Sequence, residues 1–310
     1  MRIHFAPLQG FTDHIYRKAH YETCGGVDEY HTPFLRWEKD GLRNKDLRDI
    51  KMENIGEVPT TPQLICNGGE ELARLADLVE KEGHRRMDVN MGCPFAMQTK
   101  RGRGAALLSK PEKVEELVRE MERRSEVSFS VKMRLGMEDR NEWKKILPIL
   151  EGLPLKHITV HPRVGKQMYK GSVDMDAFEE LMTKCKHPLV YNGDVVEDAQ
   201  IATLEQRFPK LEGVMIGRGL LASPTLATEH KCPETTDDKD RLEKLWKLHD
   251  QIYEYATKQL QGESQVLGRL HSFWEYGSPL VEKKVLKRLC KSGTLRSYNE
   301  AMALGKRMTR

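Results

Sequence analysis

Leu189-Val190-Tyr191-Asn192-Gly193-Asp194 and, shortly after, Gly213-Val214-Met215-Ile216-Gly217-Arg218-Gly219 are two short apolar runs that each end in glycine and a charged side chain. Apolar runs of this length, closed by turn residues, read as buried strands of a parallel sheet. Working outward from them, six more runs lie at 3–7, 29–35, 62–66, 87–91, 127–135 and 157–161. Helical stretches separate most of them. Residues 70–82 place Leu72, Leu75, Leu78 and Val79 on one face, and 111–124 follows Ser109, a candidate N-cap. Only 37–57, charged and poorly periodic, breaks the pattern. A strand and helix recurring about every 30 residues has the length of a βαβ unit. Eight such units in succession fit an α/β (β/α)8 TIM barrel better than an open doubly wound sheet.

Past Cys232-Pro233-Glu234 no further strand is legible, while 239–261 and 279–290 are helical in period. A boundary near 234 therefore divides the chain into a barrel, 1–234, and a small C-terminal helical domain, 235–310. The longest apolar runs are of the Ala105-Ala106-Leu107-Leu108 kind, far short of the ~18 residues of a membrane span. Pro7 also arrives before the apolar segment of a signal peptide can develop. Six cysteines (Cys24, Cys66, Cys93, Cys185, Cys232, Cys290) without CxxC pairs argue against a disulfide framework and a thiolate zinc centre. A cytoplasmic location and no metal site are expected. The 310 residues carry 51 Lys and Arg against 47 Asp and Glu, but unevenly: 283–310 holds nine basic residues and one acid, Glu300. That leaves +8 at the end and −4 over the rest. A basic end on a near-neutral body suits a polyanionic partner, and equally a solvated helix face.

Barrels of this class build their active sites from the loops at the strands' C-terminal ends. Here those ends are polar: Pro7-Leu8-Gln9-Gly10, Gln63, Asn90-Met91-Gly92-Cys93-Pro94, Lys132-Met133-Arg134, His161-Pro162-Arg163, Asn192-Gly193-Asp194 and Gly217-Arg218-Gly219. The last two loops, rich in glycine and followed by a helix, are the fold's usual phosphate site. Lys132 and His161 stand among apolar neighbours, which calls for an anion at the mouth, and a reduced flavin is one; Gln63 could meet its pyrimidine edge. Cys93, in a Gly-Cys-Pro loop, suits a nucleophile if its pKa is depressed, or a general acid if its proton is retained. The basic loop 98–105, with Lys100 and Arg101, reads either as a solvated loop or as a lid meeting substrate phosphates.

These residues together resemble the flavin-dependent tRNA dihydrouridine synthases. The resemblance runs through Ala-Pro-Leu-Gln-Gly-Phe-Thr-Asp at 6–13, Pro62-Gln63, Asn-x-Gly-Cys-Pro at 90–94 and Gly102-x-Gly-Ala-x-Leu-Leu to 108. It continues in Lys132-Met133-Arg134, His161-x-Arg163-x-x-x-Gln167-x-Tyr169-x-Gly171, and the two glycine loops. The resemblance implies that Pro7, Leu8, Gln9, Gln63, Lys132, His161, Asn192, Gly193, Asp194, Gly217 and Arg218 hold FMN, and that Cys93 is a proton donor. It places Asn90, Arg134 and Gln167 near the flavin or the incoming base, and Arg269, His271, Trp274 and Tyr276 against tRNA. Leu8 stands where the family usually has Met, and His271 where Lys is common. The implied reaction is reduction of FMN by NADPH, then of a D-loop uridine to 5,6-dihydrouridine, with hydride to C6 and a proton from Cys93 to C5. No membrane and no obligate protein partner is implied, and a monomer is expected. The rivals are an FMN barrel acting on a free small molecule, which leaves 235–310 unexplained, and a sugar-phosphate enzyme, which leaves Gln63, Lys132 and Cys93 unassigned. A third, a non-catalytic tRNA binder, has no use for the thiol.

Overall fold

A computed structural model describes residues 1–39 and 41–307; Arg310, the last of the nine basic residues above, lies outside the described residues. Nine parallel strands form one sheet: β1 (Arg2–Phe5), β2 (Glu29–His31), β3 (Thr60–Thr61), β4 (Gln63–Leu64), β5 (Arg86–Met91), β6 (Ser128–Gly136), β7 (Ile158–Val164), β8 (Leu189–Tyr191) and β9 (Gly213–Ile216). Their order is β3-β2-β1-β9-β8-β7-β6-β5-β4. The two ends of that order are halves of one strand split at Pro62, which has no N–H to give the ladder. β3 pairs with β2 and β4 with β5, so the sheet closes, nearly completely, into the expected barrel.

The departures from expectation have local causes. The run 29–35 stops at His31, before Pro33, and is rejoined only by a bridge from Leu35 to Leu64. Helix Pro111–Glu122 has Pro111 at its first turn and no side-chain cap, while Ser109, the expected cap, donates instead to Glu142. The irregular stretch 37–57 holds two short helices, Asn44–Ile50 and Met52–Ile55. Beyond the barrel lie helices Asp238–Gln259, Glu263–Phe273, Lys283–Lys291 and Leu295–Arg307. The second and fourth have no counterpart in the sequence reading. Leu245, Trp246, Leu270, Val285, Leu289 and Tyr298 form the core of this bundle, while Leu248 and Ile252 of its first helix pack into the barrel's own core. Among the described residues no helix is long and apolar enough to cross a membrane.

Side chains alternate across every strand, and one alternation decides where chemistry is possible. Ile3, Phe5, Met87, Val89, Val131, Met133, Ile158, Val160 and Val214 belong to the core shared with the helices. Their neighbours His4, Asp88, Asn90, Ser130, Lys132, Thr159 and His161 point the other way, into the lumen, where the apolar residues are few: Ala6, Val190 and Met215. Barrels of this type usually fill the lumen with layers of Val, Ile and Leu. This one is lined by polar groups from floor to mouth.

Candidate active site

At the C-terminal ends of the strands the lumen opens into a cavity of about 1240 Å³, walled by residues of every expected strand end but that of Gln63. A single small-molecule pocket occupies roughly 300–1000 Å³, so this volume admits a cofactor and a second ring system together. Six cationic side chains line it (Arg36, Arg43, Lys45, Lys132, Arg134, Arg218) against one carboxylate, Asp194. Gly193 is needed for packing as well as for its turn: a Cβ there would lie 2.9 Å from Val173 Cγ1 and 3.0 Å from the Tyr191 hydroxyl.

Cys93 reaches the wall through a chain of buried hydrogen bonds that starts two layers down. Ser130 donates to Asp88 Oδ1 at 2.7 Å, and Gln63 Nε2 donates to Asp88 Oδ2 at 2.7 Å. Asn90 Nδ2 donates to Gln63 Oε1 at 2.7 Å, and Asn90 Oδ1 accepts the backbone N–H groups of Gly92 (3.0 Å) and Cys93 (2.9 Å). Two otherwise unpaired amides are thereby satisfied and the loop is fixed. From above, Ala105 N–H donates to the Cys93 carbonyl at 3.0 Å. Gly104, at φ +62°, comes so near that a Cβ would lie 2.5 Å from that carbonyl. Burial pushes the Cys93 thiol above its ordinary pKa, only partly opposed by the Phe95 amide and by Arg134 and Lys132. The thiol keeps its proton at neutral pH, which suits a general acid and not a thiolate nucleophile.

Lys132 Nζ donates to Asn192 Oδ1 at 2.7 Å, and Asn192 Nδ2 to the Met215 carbonyl at 2.7 Å. Among the described residues no carboxylate pairs with this ammonium, and burial, helped by Arg134, lowers its pKa to about 8. His161 is driven well below its usual pKa by burial and by Lys132, Arg134, Arg163 and Arg218. Its Nε2 faces Arg163 Nη1 at 3.1 Å, a donor, so the neutral ring carries its proton on Nδ1. Asp194 is shared by two guanidiniums, Arg163 and, at 3.0 Å, Arg218, which hold its carboxyl below the usual range. At the rim, Tyr169 is 45% exposed, and Arg134 and Arg218 lie 5.4 and 4.8 Å from its ring centroid.

Sequence comparison places this cavity in a family. The model for dihydrouridine synthase (Dus) matches residues 4–304. The chain belongs to the dihydrouridine synthase family. A probable tRNA-dihydrouridine synthase of Staphylococcus aureus is 28% identical over 270 residues, covering 82% of this chain and 77% of that one. The tRNA-dihydrouridine synthase B of Escherichia coli is 27% identical over 233 residues, covering 74% and 70%. Among solved structures, morphinone reductase aligns with a TM-score of 0.53 at 12% identity over 76% of this chain and 87% of that one. The old yellow enzyme homologue of Zymomonas mobilis gives 0.54 at 12% over 76% and 90%. These two share the fold. As a dihydrouridine synthase the chain is a flavin-dependent oxidoreductase.

Of the residues expected in a dihydrouridine synthase site, Pro7, Leu8, Gln9, Asn90, Cys93, Lys132, Arg134, His161, Asn192, Gly193, Asp194, Gly217, Arg218 and Tyr276 line the one cavity. Seven others lie elsewhere, among them His271, half-buried with its ring 6.3 Å from that of Tyr298. Gln63 is wholly buried and spent on Asp88 and Asn90, so it supports the wall from behind. Gln167 Oε1 accepts from Val164 N–H and caps a turn. Lys100 and Arg101 are exposed beyond the wall, Arg101 lying 3.6 Å from Glu38. Trp274, expected against tRNA, is 2% exposed in the bundle core and donates to the Tyr298 hydroxyl at 2.8 Å. Arg269 also turns inward and donates to Asp13 at 2.9 Å, tying the bundle to a barrel helix. Both corrections have one cause: their helix buries Val266, Leu267 and Leu270, and its last turn faces the barrel. Arg36, Arg43, Lys45, Phe34 and Phe95 are wall residues the sequence reading missed. Four of them lie in or beside the irregular segment 37–57, where no periodicity points at a face.

Proposed function

We propose that the chain reduces a D-loop uridine of tRNA to 5,6-dihydrouridine, with FMN seated in the barrel mouth, NADPH as reductant and Cys93 as proton donor. The observation that carries this reading is a buried thiol, Cys93, on the same cavity wall as the Lys132 ammonium, which no carboxylate pairs with among the described residues. FMN fits the residues present: Lys132 and Asn192 would meet the ring's polar edge, Pro7, Leu8 and Gln9 one flank, and Gly193, Gly217 and Arg218 the phosphate. The flavin, when bound and reduced, supplies a hydride to C6 of the uracil.

The chain's own residues do the rest. Cys93 holds a proton at Sγ for C5, and the Asn90 chain below it keeps that sulfur in place. Lys132 offsets negative charge at the ring edge. His161, neutral and held by Arg163, offers an N–H without adding charge. Tyr169 and Phe95, both exposed at the rim, offer faces on which an unstacked base can rest before it enters. An everted base is required because a stacked one hides the edge that reacts.

The helical part, 235–310, is proposed as the tRNA-binding domain. Helix Lys283–Lys291 buries Val285 and Leu289 and exposes Lys283, Lys284, Lys287, Arg288 and Lys291. None of the five meets a carboxylate among the described residues, which suits a phosphate backbone and a salt-dependent affinity. A cytoplasmic, monomeric enzyme is part of the same reading.

The test is Cys93→Ala. Proton donation by a positioned acid is worth about 10²–10⁴ in rate. The variant should remain yellow and bind tRNA as the parent does, while single-turnover formation of dihydrouridine falls by at least about 100-fold. Unchanged turnover removes Cys93 from the reaction. A colourless parent protein that FMN cannot reconstitute removes the cofactor.

A further inference from the structure

The floor of the lumen holds a cluster that the reaction above does not use. His4 of β1, His31 at the end of β2 and His157, just before β7, are each about 1% exposed. Their rings stand 5.0 Å (His4 to His157), 5.8 Å (His4 to His31) and 6.5 Å (His31 to His157) apart. One donor nitrogen from each lies within 4.8 Å of the other two. His4 Nε2, His31 Nδ1 and His157 Nε2 have no hydrogen-bond partner among the described residues. Three orphaned imidazole nitrogens in one sealed chamber are costly, since each gives up water and gains nothing in return. None of the three residues lines the active-site cavity.

A fourth group completes the chamber. Glu29 Oε2 lies 3.7 Å from His4 Nδ1 and accepts from Lys156 at 2.6 Å, and its other oxygen accepts from Thr61. Neutral imidazole is the form that binds metal.

We propose that His4, His31 and His157 form an internal site for a divalent transition-metal ion of the zinc class. Imidazole sets of this kind select zinc, cobalt or nickel over magnesium and calcium, which take oxygen ligands. The 4.8 Å spread exceeds the roughly 3.4 Å that tetrahedral bonds of ~2.05 Å require. Small ring rotations close that gap. Glu29 or a water fills the fourth position, and the carboxylate supplies countercharge. The ligands link two neighbouring strands to the far side of the barrel, since β1 pairs with β2 and β7 is four strands from β2 in the sheet order. The ion would therefore act as a staple beneath the active site and take no part in hydride or proton transfer.

The experiment is metal analysis of the full chain, expressed in zinc-supplemented medium and purified without chelator. Wild type and Cys93→Ser should each carry about one zinc per chain, and the double variant His31→Gln/His157→Asn almost none. Cobalt-grown wild type should show the visible d–d bands of a tetrahedral ion without the thiolate charge-transfer band of a cysteine site. Protein stripped in denaturant and refolded should regain several degrees of Tm on adding zinc and none on adding magnesium. Absence of stoichiometric metal and of the cobalt spectrum in wild type overturns the proposal, even if the histidine variants fail to fold. Equal zinc in the double variant overturns it as well, and a thiolate band sends the metal to a cysteine instead.

Discussion

At the floor of the barrel Glu29 is held by Lys156 and Thr61, with His4 nearby, so its charge is paired inside the protein. At the mouth Lys132 has only the neutral amide of Asn192, and six cations face one carboxylate around the opening. Both ends bury polar groups at a cost in solvation. At the floor the Glu29–Lys156 pair recovers the share owed to charge, whereas at the mouth the cost of the Lys132 ammonium stands, and an anionic ligand recovers it there on binding. Removing a charge should therefore harm the fold at the floor and help it at the mouth.

The largest expected effect tests the floor. Glu29→Gln leaves Lys156 without its carboxylate and leaves one amide oxygen to serve both Lys156 and Thr61. Breaking such a pair from one side costs about 3–5 kcal/mol. Lys156 retains some contact with water, so about 3 kcal/mol of stability should be lost, read from urea unfolding, with flavin affinity per folded molecule unchanged. A stable variant with weakened flavin binding would join the two ends and undo the comparison.

Lys132→Met is the mirror experiment. Removing a buried, unpaired ammonium while keeping a straight side chain should raise stability by about 1 kcal/mol, after the loss of the bond to Asn192. Flavin affinity should fall by about 100-fold, since a charge-assisted contact in a dry site is worth roughly 2–3 kcal/mol. A destabilised variant that still binds flavin tightly would mean that Lys132 serves the fold.

The same lysine gives the mouth a pH signature. In the unliganded protein its pKa is lowered to about 8, so below that pH it is charged and binds the anion, and above it the charge is progressively lost. Flavin Kd should be flat up to about pH 8 and then rise by up to tenfold per pH unit. In Lys132→Met the rise should vanish. Cys93 cannot imitate this limb, because burial moves its thiol upward from its ordinary value.

Much of the mouth was legible because chemistry there is written locally: a strand ends and the next few residues form the site, as in Asn90 to Cys93 or Asn192 to Asp194. The barrel itself followed from eight apolar runs, although Pro33 and Pro62 trimmed two of them. The floor was not legible. His4, His31 and His157 lie in three separate units of the chain and share no spacing, so only closure of the sheet brings them together. Gln63 reads as a ligand contact because it sits on a strand that runs toward the mouth, and nothing in its neighbours along the chain shows that Asp88 and Asn90 already occupy both ends of its amide. In the bundle, the charged helix Lys283–Lys291 was visible by composition, but which face of Glu263–Phe273 turns inward depends on a partner surface that no local pattern encodes.

Arg269 offers the finest comparison, between a residue that touches tRNA and one that holds the helical part where it can. Asp13 Oδ1 accepts from Tyr16 N–H, capping helix His14–Thr23, and also from Arg269 Nη2. Arg269 is 13% exposed and Asp13 35%, so the pair is partly shielded and its loss should cost about 1 kcal/mol. Arg269→Ala should therefore lower Tm slightly, and Asp13→Asn, which retains the cap, should do the same. If the pair only docks the bundle, the salt dependence of tRNA affinity stays as in the parent for both variants, because no phosphate contact is lost. If Arg269 itself meets a phosphate, its removal should reduce the salt slope by about 1, and Asp13→Asn should leave the slope alone. The structure favours the first outcome, since the guanidinium is already spent on a carboxylate inside the chain. A reduced slope in Arg269→Ala alone would return that residue to the RNA surface and leave Lys283, Lys284 and Lys287 to share the contact with it.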